Sequence, residues 1–322
     1  MRKHDRKLDL AARAAWLYYV AGKRQDEIAG QLNVSRQAVQ RLVSLAVSEK
    51  LIKFRLDHPI AACVQLGEEL RERYGLSYCS VQPSDDSETR PSLGVAIAAA
   101  DHLATYLAVR DPLILAFSTG RTLLAVADEM PAMGCPQHKL VSLVGTISRS
   151  GRASPYEVVR RLAERTGAEC FPIPTPVVAS SVEERRLLQT QRSFTMVRDL
   201  ARQAVAAFIG IGSIGWQSPL HRDHFVTDEE VVELIEHGAV GEIGGWPYNS
   251  AGRLIQCSVS DRNAGLPLGE LGTARMIGVS SGSDRVLAIA AALRGGLLGG
   301  LITDERTALV LLRRQSGLDS AA

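Results

Sequence analysis

Short apolar runs alternate with longer segments of helical periodicity through most of this 322-residue chain, and this alternation constrains its fold more than any other feature. The runs are Tyr78–Val81, Leu113–Phe117, Leu140–Val144, Val205–Ile211, Met276–Val279 and Leu298–Ile302. Several are apolar at nearly every position, which is typical of strands covered on both faces. The sequence therefore predicts a Rossmann-like, largely parallel α/β domain over residues 59–322. A helix over Ile60–Tyr74 is expected to open this domain and to help subunits associate.

Small and polar residues follow several of these runs. Ligands of open parallel sheets bind beyond the carboxyl ends of the strands, so these residues form the candidate ligand site. Backbone amides at helix starts, together with hydroxyls and arginine, favour an anion or a polyol. The predicted ligand residues are Ser118, Thr119, Gly120, Arg121 and Thr122 after the second run, Arg152 after the third, Gly212 and Ser213 after the fourth, and Ser281, Gly282 and Arg285 after the fifth.

The positive charge of the chain is concentrated in its first 58 residues. They hold 12 Lys or Arg against 6 Asp or Glu, whereas residues 59–322 hold 25 against 29. A basic module on an acidic body predicts a polyanionic partner for that module.

Three helices are predicted within the basic module. Leu8–Val20 carries an apolar stripe that includes Trp16 and Tyr19, and predicts a supporting helix. A turn at Gly22 leads to a short second helix over residues 25–32, whose Ile28, Ala29 and Leu32 are expected to face inward. Ser35 is placed to cap a third helix. The apolar side of that helix consists of Val39, Leu42, Val43 and Ala46.

The other side of the third helix has the side chains that read DNA bases. Arginine donates two hydrogen bonds to guanine, glutamine pairs with adenine, and the first turns of a recognition helix reach the base edges. The predicted DNA-binding residues of this helix-turn-helix are Gln25, Ser35, Arg36, Gln37, Gln40 and Arg41. Leu51–Asp57 alternates as a short strand does, which would add a wing. The alternative is a three-helix packing unit with a solvated polar face.

In ordered motifs along its whole length, the chain resembles the SorC family of sugar-responsive bacterial transcription regulators. The motifs are Gln25-Asp26-Glu27-Ile28-Ala29 with Val34-Ser35-Arg36, Phe117-Ser118-Thr119-Gly120-Arg121-Thr122, Ile209-Gly210-Ile211-Gly212, Gly238-Ala239-Val240-Gly241-Glu242, Ile277-Gly278-Val279-Ser280-Ser281-Gly282, and Leu301-Ile302-Thr303-Asp304-Glu305 with Ala308. The resemblance implies a DNA-binding domain over 1–58 and an effector-binding and oligomerisation domain over 59–322, the latter related to phosphosugar isomerases and deaminases.

The resemblance also implies a homo-oligomer, a dimer or tetramer, on operator DNA, with a small sugar phosphate or related polyol as effector. Gly120, Arg121 and Thr122 fall at the phosphate-side loop, and Glu242 falls at an acidic position suited to sugar hydroxyls. Ser281-Gly282 stands where the family usually has Gly-Gly, and Arg285 stands where it usually has Lys. Either the anion contact is kept with altered geometry or the effector is an unphosphorylated polyol.

The main alternative is a sugar phosphate isomerase or deaminase-like enzyme. Such chemistry needs a base near the anion site, and residues 59–322 contain one lysine, Lys139, at the entrance of a predicted strand. Glu242 could act as a base, but binding of a hydroxyl accounts for it equally. His221 and His224 with Asp223 resemble a metal site, but a solvated polar loop is the favoured interpretation. A third class is a DNA-binding protein whose body only oligomerises.

Two further pairs have competing interpretations. Asp304 and Glu305 are expected to cap the last helix rather than to catalyse. Trp246 and Tyr248 either cover a bound sugar or fill the core.

Composition excludes several other classes. The chain is 46% hydrophobic, which suffices for a sizeable core, and its five cysteines contain no Cys-x-x-Cys pair, so neither a disulfide framework nor a zinc site is indicated. No apolar run is long enough to cross a membrane. We therefore expect a cytoplasmic protein without a membrane partner, and we assign no cofactor, metal ligand or catalytic residue.

Overall fold

The fold comes from a computed structural model that describes residues 3–49, 51–52, 60–84, 93–148, 151–271 and 275–313. The chain divides into two compact units, Met1–His58 and Pro59–Ala322.

Helices make up the described part of the first unit. They are α1 (Lys3–Ala15), a π-helical turn (Trp16–Val20), α2 (Gln25–Leu32) and α3 (Arg36–Ser48). Their side chains form one core, which consists of Ala11, Ala14, Ala15, Leu17, Ile28, Val39, Leu42, Val43 and Ala46. The four apolar residues predicted to face inward from α3 are therefore buried.

The π-helical turn changes which residues at the end of α1 are buried. Ala21 N–H donates to the Trp16 carbonyl at 3.0 Å. This hydrogen bond spans five residues instead of the four of an α-helix, so the turn contains one extra residue. Leu17 is buried, whereas Trp16 is 55% exposed and Tyr19 is 42% exposed. The predicted stripe is wrong at these two aromatic residues, because it assumed a regular period of 3.6 residues.

The predicted wing strand, Leu51–Asp57, lies outside the described residues except for its first two positions. Leu51 and Ile52 form a bend.

The second unit contains the remaining helices and all the described strands. Its helices are α4 (Ala61–Tyr74), α5 (Leu93–Leu107), α6 (Arg121–Glu129), α7 (Val158–Thr166), α8 (Val182–Thr190), α9 (Arg192–Ala201), α10 (Pro219–Arg222), α11 (Asp228–Glu236), α12 (Ser258–Arg262), α13 (Val286–Arg294) and α14 (Glu305–Arg313). Its strands are β1 (Tyr78–Gln82), β2 (Ile114–Phe117), β3 (Lys139–Ile147), β4 (Glu169–Pro176), β5 (Ala206–Ile209), β6 (Gly212–Ser213), β7 (Ala239–Ile243), β8 (Trp246–Asn249), β9 (Arg275–Val279) and β10 (Gly300–Asp304).

The large sheet is parallel throughout. Its strand order is β1-β10-β9-β5-β2-β3-β4. Helices α5, α6 and α7 contribute to the core on one face, and α4, α9, α13 and α14 contribute to the core on the other. Phe117 packs into the first core and its neighbour Ala116 into the second. Burial on both faces explains why the strands are apolar at successive positions, and the predicted parallel α/β class is confirmed.

Strand β4 was not predicted. Pro172, Pro174 and Pro176 lie within it, and proline cannot donate a hydrogen bond to a neighbouring strand. The structure places β4 at the edge of the sheet, where the strand has a neighbour on one side only and needs no backbone N–H donors on the other.

A small antiparallel sheet with the order β6-β7-β8 follows β5. Gly244 and Gly245 join β7 to β8 with φ values of 60° and 79°, the left-handed conformation that a two-residue hairpin turn requires. The strand predicted over Val205–Ile211 ends at Ile209, so Gly212 and Ser213 lie in β6 and not in a loop.

None of the described helices is both long enough and apolar enough to span a membrane.

Candidate functional sites

Ser35 begins the exposed helix of the first unit. Its hydroxyl accepts a hydrogen bond from Ala38 N–H at 3.2 Å, which caps α3 as the sequence predicted. Asn33, in the turn before it, has the left-handed φ of 52°, which lets the chain reverse between α2 and α3.

The four polar side chains predicted for base reading are all exposed on α3. They are Arg36, Gln37, Gln40 and Arg41. Arg36 forms an ion pair with Asp26 of α2 at 3.6 Å, and Arg41 Nε donates to the Gln37 carbonyl at 3.4 Å. Gln25 is the first residue of α2 and is partly buried. Because both partners of the Arg36–Asp26 pair are about 70% exposed, the pair adds little stability and leaves the guanidinium available to a ligand.

In the second unit, the strand order reverses direction between β2 and β5. From β2 the chain continues to β3 and β4 on one side, and from β5 it continues to β9 and β10 on the other. A crevice forms at the carboxyl ends of the two strands at such a point, and ligands of open α/β sheets bind there. The loops predicted as the ligand site follow β2, β5 and β9, three adjacent strands, so the topology brings them together.

The loops after β2 and β5 are hydrogen-bonded to each other. Ser118 is buried, and its Oγ accepts from Gly210 N–H at 2.9 Å. A Cβ on residue 210 would lie 3.2 Å from the Thr119 carbonyl oxygen, so glycine allows the close approach. Gly120 has a φ of 128°, Arg121 begins α6 with an exposed side chain, and Thr122 follows it.

The loop after β9 contains a hydroxyl without a partner. Ser280 Oγ donates to the Ile211 carbonyl at 3.3 Å, which ties this loop to the one after β5. Ser281 is only 3% exposed, and its Oγ has no hydrogen-bond partner among the described residues. Gly282, with a φ of 111°, donates its N–H to Thr307 Oγ1 at 3.0 Å. A buried hydroxyl without a partner costs free energy, which is typical of a site that awaits a ligand.

Arg285 is anchored by its own loop. Its Nη1 donates to the Ser281 carbonyl at 3.1 Å, and its Nε lies 3.7 Å from Asp284 Oδ2. The side chain is 18% exposed. The guanidinium therefore stabilises the turn that carries Ser281 and keeps donors free for an anion.

Glu242 lies in β7 opposite Gly212 of β6. Its carboxylate packs against the Cα of Gly212, where any side chain would collide with it. Its Oε2 accepts from Gly245 N–H at 2.7 Å, and burial raises the pKa of the carboxyl above its usual value. Ser213 continues β6 and is partly buried. This arrangement lets Glu242 serve as a hydrogen-bond partner for hydroxyl groups.

Arg152 and the two aromatic residues have other surroundings. Arg152 is exposed in the segment after β3, where its carbonyl accepts from Ser148 N–H at 2.8 Å. Tyr248 is fully buried and donates its hydroxyl to the Ala288 carbonyl at 3.1 Å, and Trp246 Nε1 donates to the Leu266 carbonyl at 2.9 Å. Of the two interpretations left open for this pair, the contacts favour packing.

The one lysine of residues 59–322, which Schiff-base chemistry would need, does not lie at the crevice. Lys139 is the first residue of β3, at the amino end of the sheet, whereas the crevice lies at the carboxyl ends. Asp304 Oδ1 accepts from Thr307 N–H at 2.8 Å, which confirms its predicted role in capping α14.

The histidine segment does not form a metal site in the part of the chain that the structure describes. His221 Nε2 lies 2.7 Å from Asp228 Oδ1, and this hydrogen bond raises the pKa of the imidazole. Asp223 accepts instead from the Tyr156 hydroxyl at 2.7 Å. Tyr156 was not singled out in the sequence, because its partner lies 67 positions away along the chain.

Comparison with known proteins agrees with this architecture. The family described as "Putative sugar-binding domain" matches residues 58–313. The erythritol catabolism regulatory protein EryD of Brucella abortus (strain 2308) is 33% identical over 308 residues, covering 96% of this chain and 98% of that protein. The deoxyribonucleoside regulator of Bacillus subtilis (strain 168) is 30% identical over 311 residues, covering 95% of this chain and 98% of that protein.

A solved structure shares the fold across both units. The full-length sorbitol operon regulator SorC from Klebsiella pneumoniae has a TM-score of 0.73 and 23% identity, covering 95% of this chain and 98% of that structure. The matched sugar-binding domain and the full-length similarity to named regulators show that this chain belongs to the SorC family of sugar-binding transcriptional regulators and acts as a regulator rather than as an enzyme.

Proposed function

We propose that this protein binds operator DNA through α3 and controls a polyol or sugar catabolic operon in response to a small polyol or sugar phosphate bound in the crevice beside β2 and β5. The two relatives are named an erythritol catabolism regulatory protein and a deoxyribonucleoside regulator, and both compounds in these names carry several hydroxyl groups. Because a bacterial protein that binds operator DNA works in the cytoplasm, we propose that location for this chain.

The DNA-binding half of the proposal rests on the exposed face of α3. Arg36, Gln37, Gln40 and Arg41 occupy its first two turns, on the side away from the core residues of the same helix. A capped helix N-terminus and two exposed guanidinium groups also suit contact with DNA phosphates. Gln25 and Ser35 are assigned to the same interface.

The effector-binding half of the proposal rests on one observation. The carboxyl ends of three adjacent strands bring Ser118, the Gly210–Ser213 segment and Ser281 to one crevice, and the Ser281 hydroxyl has no partner among the described residues. Thr119, Gly120, Arg121 and Thr122 supply backbone donors and a cation at the start of α6, while Gly282 and Arg285 supply them on the opposite side.

The crevice is suited to hydroxyl groups and accommodates a phosphate. Glu242, which lies opposite Gly212 and close to Ser213, is assigned to bind hydroxyl groups of the effector, and an exposed Arg121 is available to an anion. Arg152, which is exposed in the segment after β3, is assigned to the outer rim of the crevice.

Control of DNA binding follows from unequal ligand affinity. We expect a homo-oligomer, a dimer or tetramer, to place two or more α3 helices on a partly symmetric operator. If the effector binds one spacing of these helices more tightly than another, it shifts the population between them and so changes the affinity for DNA.

The test measures thermal stability and DNA binding on the same full-length preparation. The probes are erythritol, ribitol, 2-deoxyribose 5-phosphate, sorbitol 6-phosphate and inorganic phosphate. A ligand at 100 times its dissociation constant stabilises the folded state by about 2.7 kcal/mol, which raises the melting temperature by about 5 °C. The same compound should change binding to a DNA fragment from upstream of the gene. Turnover of a sugar phosphate without DNA binding at low salt would refute the proposal.

A further inference from the structure

Two segments that flank the crevice are joined by a side-chain hydrogen bond. Tyr156 lies between β3 and α7, and Asp223 directly follows α10, between β6 and β7. The Tyr156 hydroxyl donates to Asp223 Oδ2 at 2.7 Å. These segments enter from strands on opposite sides of β2, so the bond connects the two lips of the crevice.

The bond lies over the loop that begins α6. Thr119 Oγ1 donates to the Tyr156 carbonyl at 2.9 Å, which fixes the backbone of Tyr156 against the β2 loop. An effector that binds at Thr119 would therefore lie next to the Tyr156 backbone.

The proton of this bond stays on the phenol. Burial and, next, the hydrogen bond to Asp223 raise the pKa of Tyr156 to about 12. The bond thus joins a neutral hydroxyl donor to a carboxylate acceptor, and hydrogen bonds of this charge-assisted kind are stronger than those between neutral groups.

Both partners are held in place by their own segments. Ser218 caps the short helix α10 by accepting from His221 N–H at 3.4 Å, and His221 is bound to Asp228 and to the Trp216 carbonyl. His224, immediately after Asp223, has the left-handed φ of 58°, which a residue with a side chain rarely adopts. This conformation persists only where surrounding contacts maintain it. These contacts therefore hold Asp223 in position to accept a hydrogen bond from Tyr156.

A partly open cavity lies beside the bonded tyrosine. This cavity of about 190 Å³ is lined by Ser118, Thr119, Ser142, Ser154, Tyr156 and Cys170, among others. It opens from the same β2 loop that borders the crevice.

We propose that Tyr156 is a positioning residue whose hydroxyl, bound to Asp223, latches the two lips of the crevice and sets the rate at which effector enters and leaves. The inference rests on the proposed function, because it assigns a role at the same ligand site. Tyr156 acts here through Asp223 and not through contact with the reacting or binding atoms of a ligand.

The first experiment needs no ligand. Hydrogen–deuterium exchange of the full-length protein is compared between the wild type and Tyr156→Phe, which removes only the hydroxyl. Amides of Arg222, Asp223 and His224 bond within the α10 segment and should exchange about tenfold faster in the variant, since loss of one charge-assisted bond corresponds to roughly that factor. Tyr106→Phe in α5 is the control, and it should leave these amides unchanged. Equal exchange rates in wild type and Tyr156→Phe overturn the latch.

The second experiment measures association and dissociation rates for whichever of the five named probes raises the melting temperature of the wild type most. Both rates should rise about tenfold in Tyr156→Phe, whereas a damaged site would lose affinity without faster entry. Asp223→Asn should give a smaller rise, and the double variant should match Tyr156→Phe alone, because the two side chains act through one bond.

The outcomes separate the two claims. A wild type that binds a probe, with unchanged rates in Tyr156→Phe, overturns the latch and leaves the proposed function standing. A wild type that responds to none of the five probes contradicts the proposed function and the role of the latch in ligand exchange, whatever the exchange of amides shows.

Discussion

Replacing Ser281 with alanine should make the ligand-free protein more stable and weaken its binding of effector. The side chain is 3% exposed, and its Oγ has no hydrogen-bond partner in the described part of the chain. An unpaired buried hydroxyl costs about 1–3 kcal/mol, and alanine removes one oxygen atom while leaving the Cβ in place. We therefore expect the free energy of unfolding to rise by about 1 kcal/mol and the melting temperature by about 2 °C.

The neighbouring serine provides a matched control. Ser280 is 1% exposed, but its Oγ donates to the Ile211 carbonyl at 3.3 Å. Ser280→Ala should therefore lower the free energy of unfolding by about 1 kcal/mol, because it removes a hydrogen bond that is already made.

Calorimetric melting of the full-length variants, with and without the probe that stabilises the wild type, measures both effects. Ser281→Ala should weaken binding of that probe by about tenfold through loss of one hydrogen bond. The reasoning is refuted if Ser281→Ala melts below the wild type, as Ser280→Ala should, because the hydroxyl would then have a partner in the free protein.

Three further changes test other parts of the molecule. Arg41→Ala should weaken binding to the upstream DNA fragment by about tenfold in gel-shift titrations, with the melting temperature unchanged because the side chain is exposed; an unchanged affinity removes Arg41 from the interface. Arg285→Ala should reduce the affinity for phosphorylated probes more than for polyols in calorimetric titrations, and equal losses would argue against an anion contact. His102 stacks on Tyr78 with ring centroids 3.9 Å apart, and burial lowers its pKa from 6.5. As the pH falls below 6.5, His102 binds a proton in the unfolded chain but not in the folded chain, so the stability of the protein declines. His102→Phe should therefore make the melting temperature depend less on pH over that range. An unaltered pH dependence would show that other groups cause the decline.

Sequence patterns predicted the elements that bury continuous apolar surface. The parallel strands and the core side of α3 follow directly from the spacing of apolar residues. Trp16 and Tyr19 were assigned to the core because periodicity presumes a regular helix, and a π-helical turn depends on hydrogen bonds that side-chain patterns do not record.

The short antiparallel hairpin and the edge strand had weaker signals. Gly244-Gly245 is a known sequence signature of a tight hairpin, and it could have located β7 and β8 on either side of it. The prolines of β4 argue against a strand unless its edge position is already known.

The candidate site could be predicted only in part, for a related reason. Residues that follow strands are visible as polar interruptions, which is how the loops after β2, β5 and β9 were found. The Tyr156–Asp223 bond and the partnerless hydroxyl of Ser281 depend on how distant segments pack, so no local spacing encodes them.

The position of β10 has a consequence for incomplete chains. It is the last strand along the chain, yet it lies between β1 and β9, and α14 behind it packs against α4. During synthesis β1 has no neighbour in the sheet until Asp304 has left the ribosome, whereas the helices of the first unit are complete long before. A late stop codon would thus leave the helices of the first unit intact but remove an inner strand from the sheet of the domain assigned to effector binding and oligomerisation. We expect such a product to bind the operator weakly, as a monomer, and without any response to a metabolite.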